Sequence, residues 1–189
     1  MRCFIAVDID EGVLDRIGEL GDKLRGGLDI ETGGIKWVEP QRMHLTLKFL
    51  GEVKDSDLME VCRIVESVAV EYSDFSIDVC KVGVFGRPAR VVWVGIAENR
   101  ALEDMQSCLE ERFGQAGWKA DNKKFVGHLT VCRVKNIKLG KRLDRLVGEH
   151  EDFKAGSCDI NSICVYESEL TKTGPVYRLM KKYPFQGNT

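Results

Sequence analysis

Apolar residues along the chain fall alternately into short runs with strand character and longer runs with helical spacing. Arg2 to Asp8 is apolar until it meets the acids and predicts a strand. From Asp10 to about Arg25, Val13, Leu14, Ile17, Leu20 and Leu24 recur one helical turn apart, and Gly26-Gly27 supplies a stop. Gly33-Gly34 predicts a loop, Ile35 to Val38 a short strand cut by Pro40, and Met43 to Leu50 a strand ending at Gly51. Ser56 or Asp55 can cap a helix running to about Tyr72, with Leu58, Val61, Cys62, Val65 and Val68 on one face. Phe75 to Val84 and Arg90 to Ile96 predict two strands joined by a turn at Gly86-Arg87-Pro88. Asn99 caps a predicted helix to about Phe113, His128 to Val134 predicts a strand, and Leu139 to about His150 a short helix. Ser157 to Tyr166 and Val176 to Lys182 are expected as closing strands, joined by a polar loop around Gly174-Pro175. This order predicts an α+β fold with mainly antiparallel sheets. No stretch reads as a linker, so residues 1–189 are expected to form one domain.

Composition narrows the function classes. Hydrophobic residues make up 43% and charged residues 31%, ordinary values for a water-soluble protein. No run approaches the ~18 apolar residues of a membrane span, and the apolar opening is too short for a secretion signal. A cytoplasmic location is expected. The seven cysteines are odd in number and contain no CxxC, which argues against a disulfide framework or a four-cysteine zinc site. They are expected to be reduced core residues. Net charge is only -2, but Lys119, Lys123, Lys124, Arg133, Lys135, Lys138, Lys141 and Arg142 face Asp121 alone within one segment. His128 lies inside that basic stretch, where a positive field would attract phosphate.

The candidate chemistry lies in a repeated tetrapeptide. His44-Leu45-Thr46-Leu47 recurs as His128-Leu129-Thr130-Val131, each copy opening a predicted strand. Threonine is rare in the chain, so two of three histidines with Thr two places on is a coincidence expected on the order of three times in a thousand. On a strand, residues two apart share a face, so His and Thr of each copy point together while Leu45, Leu47, Leu129 and Val131 point the other way. If the two halves are related by a pseudo-twofold axis, both His-x-Thr faces meet across one cleft. A phosphate held there meets two imidazoles and two hydroxyls, which suits in-line displacement: one imidazole takes a proton from the nucleophile and the other protonates the leaving oxygen. The hydroxyls stabilise charge on the non-bridging oxygens. The motifs alone do not say which histidine is acid and which is base. His150, with no Thr companion, is expected to be structural.

Together, the segments His44-Leu45-Thr46-Leu47-Lys48-Phe49-Leu50-Gly51 and His128-Leu129-Thr130-Val131-Cys132-Arg133 resemble the two HxTx signatures of the 2H phosphoesterases. The opening Arg2-Cys3-Phe4-Ile5-Ala6-Val7 and Trp37-Val38 resemble the LigT/ThpR branch of that family. The resemblance implies a bilobal, pseudo-twofold arrangement of two antiparallel sheets around a central cleft, with helices outside. It implies hydrolysis of RNA 2',3'-cyclic phosphate ends to 2'-phosphates; the two-histidine chemistry requires no metal or other cofactor, and a monomer is expected. By position, His44 matches the proton donor and His128 the proton acceptor. Thr46, Thr130 and Arg133 match substrate-binding residues. Arg133 stands at an odd offset from His128, however, and on a regular strand it would face away from the cleft, so it reaches phosphate only if the strand ends or bulges first. Lys48 has the right parity for the cleft but lies far along the strand, and Phe4 suits either a base-stacking ring or, by preference, the core. Alternatives are a 2'-5' RNA ligase joining tRNA halves, a non-catalytic RNA-binding module, and a cyclic phosphodiesterase for small nucleotides.

Overall fold

The computed structural model describes residues 1–28, 33–121, 123–171 and 174–187. Their elements, in chain order, are β1 (Arg2–Val7), α1 (Glu11–Gly26), β2 (Ile35–Trp37), β3 (Leu45–Glu52), α2 (Leu58–Ala69), β4 (Phe75–Phe85), β5 (Val91–Ile96), α3 (Arg100–Gln115), β6 (His128–Val134), α4 (Ile137–Gly148), β7 (Lys154–Ile160), β8 (Ser162–Thr171) and β9 (Gly174–Pro184). The strands form two antiparallel sheets, ordered β3-β1-β8-β9 and β2-β6-β5-β4-β7. Helices α2 and α3 pack on the first sheet, and α1 and α4 on the second. This is the expected α+β fold.

Packing follows the periodicity. In β1, Cys3, Ile5 and Val7 enter the main core, while Phe4 and Ala6 form a second, smaller cluster with Cys164 and Tyr166 on the opposite face of the first sheet. The apolar stripe of α1, from Val13 to Leu24, is buried as its spacing requires. All seven cysteines are unpaired, and four of them are buried. No helix among the described residues is long and apolar enough to cross a membrane.

Three expectations change. The single strand expected over Ser157 to Tyr166 is two strands: β7 pairs with β4 in the second sheet, and β8 crosses to the first, between β1 and β9. Strand-forming residues on both sides of Asn161 conceal the crossing, since propensity does not record which sheet a strand joins. Neither Ser56 nor Asp55 caps α2. Residues Asp55–Asp57 form a 3-10 turn, and the Ser56 hydroxyl donates to Asp57 Oδ1 at 2.8 Å. The loop expected around Gly174-Pro175 is already strand, with Pro175 opposite Leu170. Asn99 does cap α3, accepting from Leu102 N at 3.0 Å, and Asn136 starts α4 two residues before the expected position.

Leu45 and Leu129, the residues after each motif histidine, are both fully buried. Leu45→Ala or Leu129→Ala should each lower unfolding stability by about 2–5 kcal/mol. Urea denaturation checks this, and a loss under ~1 kcal/mol in both would contradict the inward packing of the motif strands.

Candidate active site

The site rests on a register slip that β3 and β6 share. Between β1 and β3 the pairing runs Val7↔Leu45 and Ala6↔Thr46, then Ile5↔Lys48, leaving Leu47 as an extra residue. Between β5 and β6 it runs Gly95↔His128, Val94↔Leu129 and Trp93↔Thr130, then Val92↔Cys132, leaving Val131 extra. Each bulge falls at the third residue after its histidine. Two consecutive side chains therefore turn inward, Leu47 with Lys48 and Val131 with Cys132, none more than 2% exposed. The following residue, at an odd offset from the histidine, returns to the outer face with the His-x-Thr pair. In β3 that residue is Phe49, and in β6 it is Arg133. The carbonyls freed by the bulges are satisfied, Val131 O by Val38 N–H at 2.9 Å and Leu47 O by the Gln106 amide at 3.4 Å.

The two outer faces line one cleft of about 990 Å3 that includes His44, Thr46, Phe49, His128, Thr130 and Arg133. Both histidines are held alike. His44 Nδ1 lies 3.1 Å from Arg42 O, and His128 Nδ1 lies 2.8 Å from Val126 O, each the carbonyl two residues earlier. A carbonyl only accepts, so Nδ1 carries the hydrogen and Nε2 is the atom free to exchange a proton. Aromatic rings pack against both imidazoles: Tyr166 at 4.4 Å and Tyr177 at 5.8 Å from His44, and Phe85 edge-on at 5.0 Å from His128. Burial pushes the His44 pKa below its ordinary value, against upward pulls from the Arg42 carbonyl and the Asp8 carboxylate.

One contact breaks the symmetry. Asp8 follows β1, where the Val7↔Leu45 pairing carried one step further sets it beside His44. Its Oδ1 lies 4.0 Å from His44 Nε2 and accepts a hydrogen bond from the Tyr166 hydroxyl at 2.5 Å. Its Oδ2 takes the Lys182 ammonium at 3.3 Å and the Cys164 thiol at 3.5 Å. Burial alone would raise the carboxyl pKa, but the Tyr166 and Lys182 bonds outweigh it and hold the group below the usual range. Burial, together with the bond to Asp8 and its charge, pushes the Tyr166 phenol up.

Other expected residues fall differently. Phe4 is buried, stacked on Tyr166 at 5.3 Å in the small cluster beneath His44, where it packs the floor of the cleft. Lys48 is turned away from the His-x-Thr face by the bulge and meets the cleft only as a buried wall residue: its side chain is 0% exposed, with Nζ 2.7 Å from Glu110 and 3.2 Å from Lys119 O. Glu110 in turn accepts from Asp121 N–H at 2.7 Å. This pair thus anchors the segment carrying Lys119, Lys123 and Lys124, which line the cleft with Lys36 and Arg42. Lys135 and Lys138 lie outside the cleft, and His150 follows α4 with Nδ1 3.0 Å from Leu146 O. Sequence reasoning missed Phe49 and Asp8; the only signal for Phe49 was its offset, equal to that of Arg133. Among the described residues, no group of three or more His, Cys, Asp or Glu could hold a metal ion.

Two His-x-Thr strands that line one basic cleft are the arrangement expected of a phosphoesterase. The LigT like Phosphoesterase family model matches residues 8–93 and again 94–177, and the chain belongs to that family. It is similar to the RNA 2',3'-cyclic phosphodiesterase of Methanothermobacter thermautotrophicus, 34% identical over 97% of this chain and 98% of that protein. The crystal structure of TT0787 of Thermus thermophilus shares the fold with a TM-score of 0.83 at 23% identity, covering 100% of both chains. E. coli LigT, solved in complex with 3'-AMP, superposes with a TM-score of 0.77 at 21% identity over 97% of both chains.

Lys48→Met should cost up to about 3 kcal/mol, the low end for breaking a buried ion pair, because Glu110 keeps 22% exposure. Hydrogen exchange at the Asp121 amide should accelerate in the same variant. Unchanged exchange there would show that the pair does not hold the lysine-bearing segment.

Proposed function

We propose that this protein hydrolyses RNA 2',3'-cyclic phosphate ends to 2'-phosphomonoesters through a two-histidine mechanism that needs no metal. The observation that carries this is the matched pair of imidazoles, each locked by a carbonyl at Nδ1 and each with a threonine on the same strand face. His128 takes a proton from water as its oxygen attacks phosphorus. The bond from phosphorus to O3' breaks in line, and His44 delivers its proton to O3', leaving the phosphate on O2'. Thr46, Thr130 and Arg133 hold the non-bridging oxygens, where charge grows in the transition state. Both motifs lie in one chain, so a monomer suffices.

An RNA substrate, rather than a small cyclic nucleotide, is favoured by the lysines along the cleft, which suit a polyanion. Phe49, 65% exposed on the cleft face, offers a ring for the terminal base. The activity on RNA for which the Methanothermobacter relative is named agrees with this reading.

Hydrolysis of an oligoribonucleotide ending in a 2',3'-cyclic phosphate, in EDTA, tests it. Wild type should yield the 2'-phosphate, and His44→Ala and His128→Ala should each lose on the order of 10²–10⁴-fold in kcat. A 3'-phosphate product, or activity abolished by EDTA and restored by a divalent metal, would contradict the mechanism. Phe49→Ala should raise KM roughly tenfold with kcat little changed, as loss of base stacking requires. Equal turnover of a cyclic mononucleotide and the oligonucleotide would argue against an RNA substrate.

A further inference from the structure

We propose that Asp8 is the positioning residue that makes His44 the proton donor, and so assigns opposite roles to two histidines that are otherwise held identically. The inference rests on the acid–base reading above and adds to it a residue outside both motifs. Each histidine has the same Nδ1 restraint, so the tautomer does not distinguish them. A carboxylate stands 4.0 Å from His44 Nε2, whereas the ring beside His128 is that of Phe85. The distance is too long for a hydrogen bond. Oδ1 is also committed to the Tyr166 hydroxyl, so it does not capture the imidazolium proton. Asp8 therefore acts through its field, favouring the charged imidazole while leaving its Nε2–H free to point at the leaving oxygen.

The groups around this pair set the strength of that field. Tyr166 from β8 and Lys182 from β9 both draw charge from the carboxylate, and the Cys164 thiol bonds to Oδ2. Tyr177 from β9 faces His44 through its ring. The Arg42 guanidinium is turned to Glu39 at 2.9 Å, and only its carbonyl meets the imidazole. Burial holds the His44 pKa below its ordinary value, and the Arg42 carbonyl and then Asp8 oppose that fall, Asp8 being the one group of these that no counterpart supplies beside His128.

The sign of each effect is fixed. Removing the Asp8 charge lowers the pH at which His44 loses its proton. Removing a group that draws on that charge raises it. NMR titration of the assigned imidazole resonances in the free protein reads this directly. Asp8→Asn should move the His44 midpoint down by roughly one pH unit and leave His128 in place. Tyr166→Phe and Lys182→Met should move His44 up. With His44 as the acid, Asp8→Asn should lower kcat/KM in a pH-dependent way, with roughly tenfold loss well above the His44 midpoint and little well below it. A purely structural defect would instead lower the rate equally at every pH.

An unmoved His44 midpoint in Asp8→Asn, or a shift in His128 instead, overturns the proposal. Should Asp8→Asn fail to fold, the upward shifts in Tyr166→Phe and Lys182→Met still decide it, and their absence overturns it too. The titration needs no substrate, so a wild-type enzyme inert on cyclic phosphate would overturn the proposed reaction while the coupling of Asp8 to His44 is still read separately.

Discussion

In both motif strands the ladder slips by one residue after the threonine, and that slip determines what the substrate meets. Strand side chains alternate faces, so without a bulge the cleft would present Lys48 and Cys132, and Phe49 and Arg133 would point into the core. One inserted residue reverses this in each strand. An arginine joins one histidine and an exposed aromatic ring joins the other, while a lysine is driven inward to an ion pair with Glu110. The cost of burying that ammonium is offset by the carboxylate and the Lys119 carbonyl, and the same contacts fix the basic segment beside the cleft.

The shared bulge leaves the two motifs nearly identical, and the difference between them lies in their surroundings. Their backbones are alike down to the carbonyl two residues before each histidine. What differs is what neighbouring strands supply. Beside His44 the first sheet places Asp8, hydrogen-bonded to Tyr166 and Lys182, with the Tyr177 ring packed on the imidazole. Beside His128 the second sheet places Phe85, backed by Trp93, whose indole lies so close over Gly83 that a Cβ there would collide with it. One histidine has a fixed negative charge nearby, and the other is packed by an apolar ring.

Much of this was legible in the sequence, because the motif residues obey local rules. Histidine and threonine two apart share a strand face whatever the fold, and the helical stripes of α1 and α3 bury as their spacing predicts. Arg133 could be placed only conditionally, since its odd offset required a bulge that no single residue announces. Lys48 was misplaced for the same reason. The division of β7 from β8 was hidden because Asn161 is a single interruption between two strand-forming runs, and such runs are compatible with either sheet. Asp8 was invisible as a site residue, because its partners Tyr166 and Lys182 are brought to it only by the β1–β8–β9 pairing.

That pairing bears on how the cleft is held. The family model matches each half of the chain, yet neither sheet is built from one half. The first sheet sets β1 and β3 against β8 and β9, and the second sets β2 beside β6. Each motif strand is thus tied to the opposite half: β6 directly through β2, and β3 through β1 to β8. A histidine on one strand can face the other only if both crossings form. Phe4, Ala6 and Asp8, which underlie or adjoin His44, lie on or just past β1, the strand between β3 and β8. The cleft is therefore shaped by long-range pairing rather than by either motif, and its two faces gain their different chemistry from strands distant in sequence.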